Sequence, residues 1–119
     1  MVINMWKFIR EDLLAKSISF QKTKTIWPIK FSELIIEEIL SNNLVILGGD
    51  VIDADLKYTY DSWYWNYDED KSYQENCEVS ATIAQEYINK YVERNGDQFY
   101  IDFVIGNQFY IESVILPKR

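Results

Sequence analysis

Four aspartates that lie close together in the sequence are the residues best suited to chemistry. They are Asp50, Asp53, Asp55 and Asp61. Two carboxylates at a suitable distance can act as the acid and base of a glycosidase, and a cluster of them can bind a divalent cation. The spacing matches no calcium-binding loop, and no other catalytic side chains accompany these aspartates. A carboxylate- or metal-dependent hydrolase is therefore an alternative, while the favoured prediction is that the protein is not an enzyme.

Other catalytic and metal-binding chemistry lacks the residues it needs. The chain contains no histidine and a single cysteine, Cys77. Ser-His-Asp catalysis, Cys-His catalysis and His-ligated zinc are excluded, and one thiolate cannot build a metal site. A single cysteine also excludes an intrachain disulfide, which fits a reducing compartment. We expect no catalytic residue, no metal site and no cofactor.

The glycine pair Gly48-Gly49 does not form a phosphate-binding loop, because it lies inside an apolar strand and a second strand follows. It predicts a β-bulge or the close approach of another backbone. Asp50, which comes next, has two interpretations. Its carboxylate accepts backbone N–H bonds that fix the strands, or it contacts a partner.

The stretch from Tyr60 to Asp70 is the strongest candidate for function. It places five aromatic residues in eight positions and ends in three consecutive acids. Exposed rings act as anchors in protein interfaces, and carboxylates steer a basic partner. The predicted partner-binding residues are Asp61, Trp63, Tyr64, Tyr67, Asp68, Glu69 and Asp70. In the alternative interpretation, Trp63 and Tyr64 close the end of the core and the acids are only solvated.

The charge distribution supports a protein partner. Residues 31–97 carry fifteen acidic and four basic residues, and the whole chain has a formal net charge of −7. Such an acidic middle section disfavours nucleic-acid binding and attracts a basic protein, although net charge also keeps a small protein soluble. No segment reaches the roughly 18 apolar residues of a membrane span. We expect a cytoplasmic protein that does not bind membranes.

Hydrophobic periodicity predicts the elements that must position these residues. Residues 1–119 form one domain with the order α-α-β-β-α-β-β. Helices are predicted over 5–15, from 29 or 32 to 42, and over 72–94; strands are predicted over 45–52, 57–62, 99–105 and 109–115. The segment 17–24 is assigned to a connector, with an extended conformation as one option, and Gly106-Asn107 to a hairpin turn. The predicted fold class is α+β, with two layers and a mostly antiparallel four-stranded sheet packed by two or three helices.

Several of these segments together resemble the bacterial Immunity protein 40 family. They are Leu47-Gly48-Gly49-Asp50-Val51, then Tyr58-Thr59-Tyr60-Asp61-Ser62-Trp63-Tyr64, then a long helix and the strand Phe99-Tyr100-Ile101-Asp102-Phe103-Val104-Ile105. Trp27-Pro28 leading into a helix also fits, so the resemblance covers roughly residues 27 to 105. The family more often has Asn at the position of Ser62 and Cys at that of Trp65.

The resemblance implies a small cytoplasmic protein, encoded beside a polymorphic toxin, that binds and neutralises the C-terminal domain of that toxin. The leading hypothesis is therefore an immunity protein that inhibits its cognate toxin by non-covalent occlusion through an acidic and aromatic surface. A generic cytoplasmic adaptor is a further alternative.

Overall fold

The protein is built on a five-stranded antiparallel sheet, in a computed structural model that describes residues 6–118. The strands are β1 (Ile18–Phe20), β2 (Lys24–Pro28), β3 (Val45–Ile52), β4 (Tyr58–Tyr64) and β5 (Tyr100–Gly106). Their order in the sheet is β1-β2-β5-β3-β4, so β4 is an edge strand. The main helices are α1 (Glu11–Leu14), α2 (Ser32–Ser41) and α3 (Tyr73–Asn95). The predicted α+β class is confirmed, with five strands instead of four.

Two of the three predicted helices agree with the structure, and the first is shorter than predicted. A short 3₁₀ turn, Ile29–Phe31, leads into α2. The predicted second helix is therefore confirmed. The predicted third helix is confirmed as α3, and a capping box between Ser72 and Glu75 stabilises its N-terminus. The first helix is shorter than predicted. The predicted start at residue 5 lies outside the described residues, and the helix covers only Glu11–Leu14.

The connector predicted over 17–24 is in fact a β-hairpin formed by β1 and β2. Its turn places Gln21 and Lys22 at φ values of 51° and 67°. Hairpin turns of this kind are usually marked by Asn or Gly, which tolerate positive φ, and neither residue is present here. Phe20 is buried, and its burial holds the hairpin against the sheet.

The prediction of a strand over 109–115 is wrong, because this segment is helical. Helical turns run through Gln108–Tyr110, Ile111–Ile115 and Leu116–Lys118, and we call them together the C-terminal helical segment. The Asn107 side chain accepts a hydrogen bond from the Tyr110 N–H (2.7 Å), so Asn107 caps a helix and does not turn a hairpin. Ile111 is fully buried in a small second core with Val45 and Cys77. A hairpin is also disfavoured because β5 already lies between β2 and β3.

The two faces of the sheet have different surroundings. Trp63 pairs with Gly49, which pairs with Phe103, and this row faces α3 and the main core. Successive side chains of a strand point to opposite faces, so the neighbouring rows face away from the helices. These rows define the open face, and they consist of Gly48, Tyr64 and Val104 in one row and Asp50, Ser62 and Asp102 in the next.

Both ends of the open face are partly covered. At one end the Tyr110 ring of the C-terminal helical segment lies over Gly106. At the other end the β1–β2 hairpin reaches across to β4. There the rings of Phe20 and Tyr58 are 5.2 Å apart, and Lys24 Nζ donates to the Tyr58 hydroxyl at 2.9 Å. The open face is consequently exposed only between these two covers.

The glycine pair forms the predicted bulge and close approach. The pairing of β3 with β5 shifts register between Ile46 and Gly48, and Gly48 has a φ of 155°. A side chain at Gly48 would collide with the carbonyl oxygen of Trp63, and one at Gly49 would collide with the Trp63 indole. The two glycines therefore let β4 and its tryptophan pack directly onto β3.

Candidate functional site

Trp63, one of the predicted partner-binding residues, belongs to the core. Its side chain is 8% exposed, and its ring stacks on Tyr87 of α3 with centroids 4.9 Å apart. The edge of the Phe103 ring completes the contact at 6.2 Å. Trp63 thus fills the interior between β4 and α3, which is one of the two interpretations that the sequence left open.

Tyr67 is also buried, with 8% of its surface exposed. It packs in the second core against Ile111 and Cys77. This burial raises the pKa of the Tyr67 hydroxyl. Tyr67 anchors the chain where it leaves the sheet, and its ring is covered in the free protein.

Tyr64 and Tyr60 are the rings of this stretch that face solvent, with 78% and 91% of their surface exposed. Tyr64 lies on the open face. Tyr60 has a φ of 68°, which is an uncommon and strained conformation for an aromatic residue. The Thr59 hydroxyl stabilises the backbone on both sides of Tyr60, because it donates to the Val51 carbonyl (2.9 Å) and accepts from the Asp61 N–H (3.0 Å). The local backbone therefore holds the Tyr60 ring outside the sheet, a role that the sequence did not single out.

Asp61 points toward α3 and is held there. Its carboxylate accepts a hydrogen bond of 2.8 Å from the Tyr91 hydroxyl. Burial of Tyr91, together with this hydrogen bond, raises the pKa of the Tyr91 hydroxyl to about 12. Asp61 remains exposed, so its position is fixed while it stays accessible to a partner.

A buried asparagine organises the acidic turn Asp68–Asp70. Asn76, in the first turn of α3, is fully buried. Its side chain accepts from the Asp68 N–H at 2.8 Å and donates to the carbonyls of Asp68 (2.9 Å) and Ser72 (2.8 Å). The Asp68 carboxylate in turn accepts from the Asp70 N–H at 2.9 Å. The turn is consequently fixed beside the N-terminus of α3, where negative charge is favourable.

Replacing Asn76 with alanine is expected to destabilise the protein by about 1–3 kcal/mol, because buried polar groups of the turn lose their partners. Urea denaturation measures this change, and the amides of the turn should exchange faster with solvent. Asn66→Ala is the matched control, since Asn66 is exposed in the same loop. Equal stability of the two variants would show that Asn76 does not hold the turn.

The exposed part of this region follows one edge of the molecule. We define the β4 surface as the exposed side chains of β4, Tyr60, Asp61, Ser62 and Tyr64, together with the acidic turn of half-buried Asp68 and exposed Glu69 and Asp70. Asp68 is four residues beyond Tyr64, so their Cα atoms are at most about 14 Å apart. The structure thus places five of the seven predicted residues on the β4 surface and two, Trp63 and Tyr67, beneath it.

The aspartates that could support an enzyme occupy different positions in the β3–β4 unit. Asp53 Oδ1 accepts from the N–H groups of Asp55 and Lys57 and closes the β3–β4 turn. Asp50 lies on the open face, whereas Asp61 faces α3. Within residues 6–118 no group of three or more histidine, cysteine, aspartate or glutamate side chains is arranged to hold a metal ion.

Asp50 does not have the expected structural role. Its carboxylate accepts no hydrogen bond from any residue in the described range 6–118, so the interpretation that it fixes the strands through backbone N–H groups is wrong. Its register partner on β5, Asp102, forms an ion pair with Lys24, with 3.3 Å between Nζ and Oδ2. Asp50 is half-buried beside this pair.

In the part of the chain that the structure describes, no helix is long and apolar enough to cross a membrane.

Comparisons with known proteins identify a family. Searches of curated proteins and of solved structures found no match. The model of the family described as Immunity protein 40 matches residues 16–105. This segment contains the β4 surface and excludes both α1 and the C-terminal helical segment. Because the match spans most of the sequence, the chain belongs to the Immunity protein 40 family.

Proposed function

We propose that this protein is a bacterial immunity protein that binds and neutralises a polymorphic toxin in the cytoplasm. The observation that carries the proposal is the family match over residues 16–105. The partner is the C-terminal domain of a cognate toxin, and inhibition is by non-covalent occlusion, without catalysis or a cofactor. No nucleic acid or membrane takes part.

The β4 surface supports this mechanism because it combines exposed rings with negative charge. Tyr60 and Tyr64 present large, rigid rings, which are among the side chains that contribute most to protein interfaces. The carboxylates of Asp61 and the acidic turn add long-range attraction for a basic toxin face and raise the rate of encounter. A stable interface of about 1,600 Å² in total would extend well beyond these residues over the neighbouring surface.

The buried members of the predicted site contribute indirectly. Trp63 fixes β4 against α3, and Tyr67 fixes the chain that leads to the acidic turn. Asp61 and Asp68 are also held by hydrogen bonds in the free protein. A surface that is ordered before binding loses less conformational entropy when it docks. Such preorganisation suits the tight binding that toxin neutralisation requires.

A growth assay tests the proposed function. Expression of the toxin domain encoded beside this gene is expected to stop bacterial growth, and co-expression of this protein should restore it. An unrelated acidic protein of similar size serves as the control for charge alone. Continued growth arrest in cells that contain folded, soluble immunity protein would contradict the proposal.

A further inference from the structure

We propose that the open face of the sheet binds a segment of the toxin that carries one cationic and one apolar side chain. The cation pairs with Asp50 beside Asp102, and the apolar side chain enters a groove next to Val104. This inference rests on the proposed function, and it specifies the chemistry of the toxin surface.

The first observation is a pair of carboxylates on neighbouring strands. Asp50 and Asp102 are direct cross-strand partners. The Cβ atoms of such partners are about 4.5–5.5 Å apart, and like charges in this arrangement repel. Lys24 neutralises Asp102, while the Asp50 carboxylate has no ion pair within residues 6–118. The open face therefore has one uncompensated negative charge next to the partly buried ion pair of Lys24 and Asp102.

The environment of Asp102 shows the effect of this charge. Asp102 is 7% exposed, and burial raises the pKa of its carboxyl group. Lys24 opposes that rise, and the negative charge of Asp50 adds to it. An ammonium or guanidinium group that binds at Asp50 removes this repulsion. The free protein is thus prepared electrostatically for a second cation.

The second observation is an apolar groove that reaches Val104, two residues along β5 from Asp102. Its volume is about 740 Å³, and residues that line it include Phe8, Leu47, Val104, Phe109 and Tyr110, with Lys7 as its one charged residue in the described range. Phe109 is 76% exposed and Val104 is 46% exposed. Val104 follows Asp102 on the same face of β5, which places the two positions about 7 Å apart. Alternate side chains of an extended segment have the same spacing.

Charge selects the occupant of this face. A second copy of this chain would bring further carboxylates, since the chain has a net charge of −7. A basic segment of a different protein is complementary, and Tyr64 and Ser62 connect the open face to the β4 surface. One interface can therefore include both regions.

The groove also gives the interface a part that the family match does not include. Phe8, Phe109 and Tyr110 lie outside residues 16–105, whereas Asp50 and Asp102 lie inside them. We infer that the carboxylates supply the attraction for a basic segment, and that the groove adapts this chain to the apolar residue of its own toxin.

Binding of the purified toxin domain encoded beside this gene, at low and high salt, tests the inference. Asp50→Asn is expected to weaken binding about tenfold or more at low salt, and less at high salt because ions screen exposed charges. Phe109→Ala is expected to weaken binding at both. The controls are Glu86→Gln on α3 and Leu34→Ala on α2, both exposed and away from the open face. Asp50→Asn should melt at or above the wild-type temperature, since it removes a repulsion.

The outcomes separate the inference from the proposed function. If the wild type binds the toxin domain and Asp50→Asn binds it as tightly as Glu86→Gln does, the cation site is overturned while the proposed function stands. Wild-type binding that Phe109→Ala leaves unchanged overturns the apolar part. Absence of wild-type binding to the toxin domain overturns the proposed function, and the inference with it.

Discussion

Trp63→Ala is expected to destabilise the protein by about 3–5 kcal/mol, enough to unfold many domains of this size. The ring is buried between Tyr87 and Phe103 and covers Gly49, so its removal leaves a cavity in the main core between β4 and α3. Loss of protection by this variant would follow from unfolding. Urea denaturation followed by circular dichroism measures the change.

Trp63→Phe is the matched control for this prediction. The Trp63 Nε1–H is buried without a hydrogen-bond partner among the described residues, so phenylalanine loses ring volume and no hydrogen bond. It should destabilise the protein clearly less than alanine does. A stable, folded Trp63→Ala variant that has lost only toxin binding would contradict the assignment of Trp63 to the core.

Tyr64→Ala is expected to have the opposite effect, with stability almost unchanged and toxin binding weakened. Because its ring is 78% exposed, the free energy of unfolding should change by no more than about 0.5 kcal/mol. As an anchor of the proposed interface, the same ring should contribute about 2 kcal/mol to binding, which corresponds to roughly a 30-fold weaker complex. Calorimetric titration with the toxin domain, together with the growth assay, measures this effect.

Leu14→Ala serves as the control for Tyr64→Ala, since Leu14 is a partly exposed apolar residue on α1, outside the family match. It should bind and protect like the wild type. If Tyr64→Ala also binds like the wild type, the ring does not belong to the interface. The neighbouring residues Trp63 and Tyr64 thus separate a structural effect from a functional one.

The sequence predicts the elements with strong local signals. The apolar run of β3 indicates a strand and the apolar spacing of α3 indicates a helix, and the structure agrees. The glycine pair predicts a bulge or a close backbone approach, and the structure shows both. The β1–β2 hairpin was missed because Gln21 and Lys22 adopt a turn conformation that their residue types do not indicate. The segment 109–115 was misassigned because its apolar residues suit both a strand and a helix. The Asn107 cap and the second core decide for the helix.

For the candidate site, the sequence identifies the region but not which side chains face outward. The predicted strand ends at residue 62, whereas β4 continues to Tyr64. Only the structure therefore shows that Trp63 and Tyr64 alternate in a strand, and that Trp63 is the buried one. Gly49 is the one available signal, because a missing side chain on β3 leaves room for a ring. Asn76 and the open-face pair of Asp50 and Asp102 depend on contacts between distant residues, which no local pattern shows.

Hydrogen–deuterium exchange of the free protein and of its complex with the toxin domain tests directly whether the β4 surface is the toxin interface. β4 is an edge strand, so its outward-facing amides have no partner strand and should exchange quickly in the free protein. Toxin binding is expected to slow exchange in β4 from Tyr60 to Tyr64 and in the acidic turn, with little change in α2. Slower exchange confined to α2 and the outer side of α3, with β4 and the turn unchanged, would contradict it.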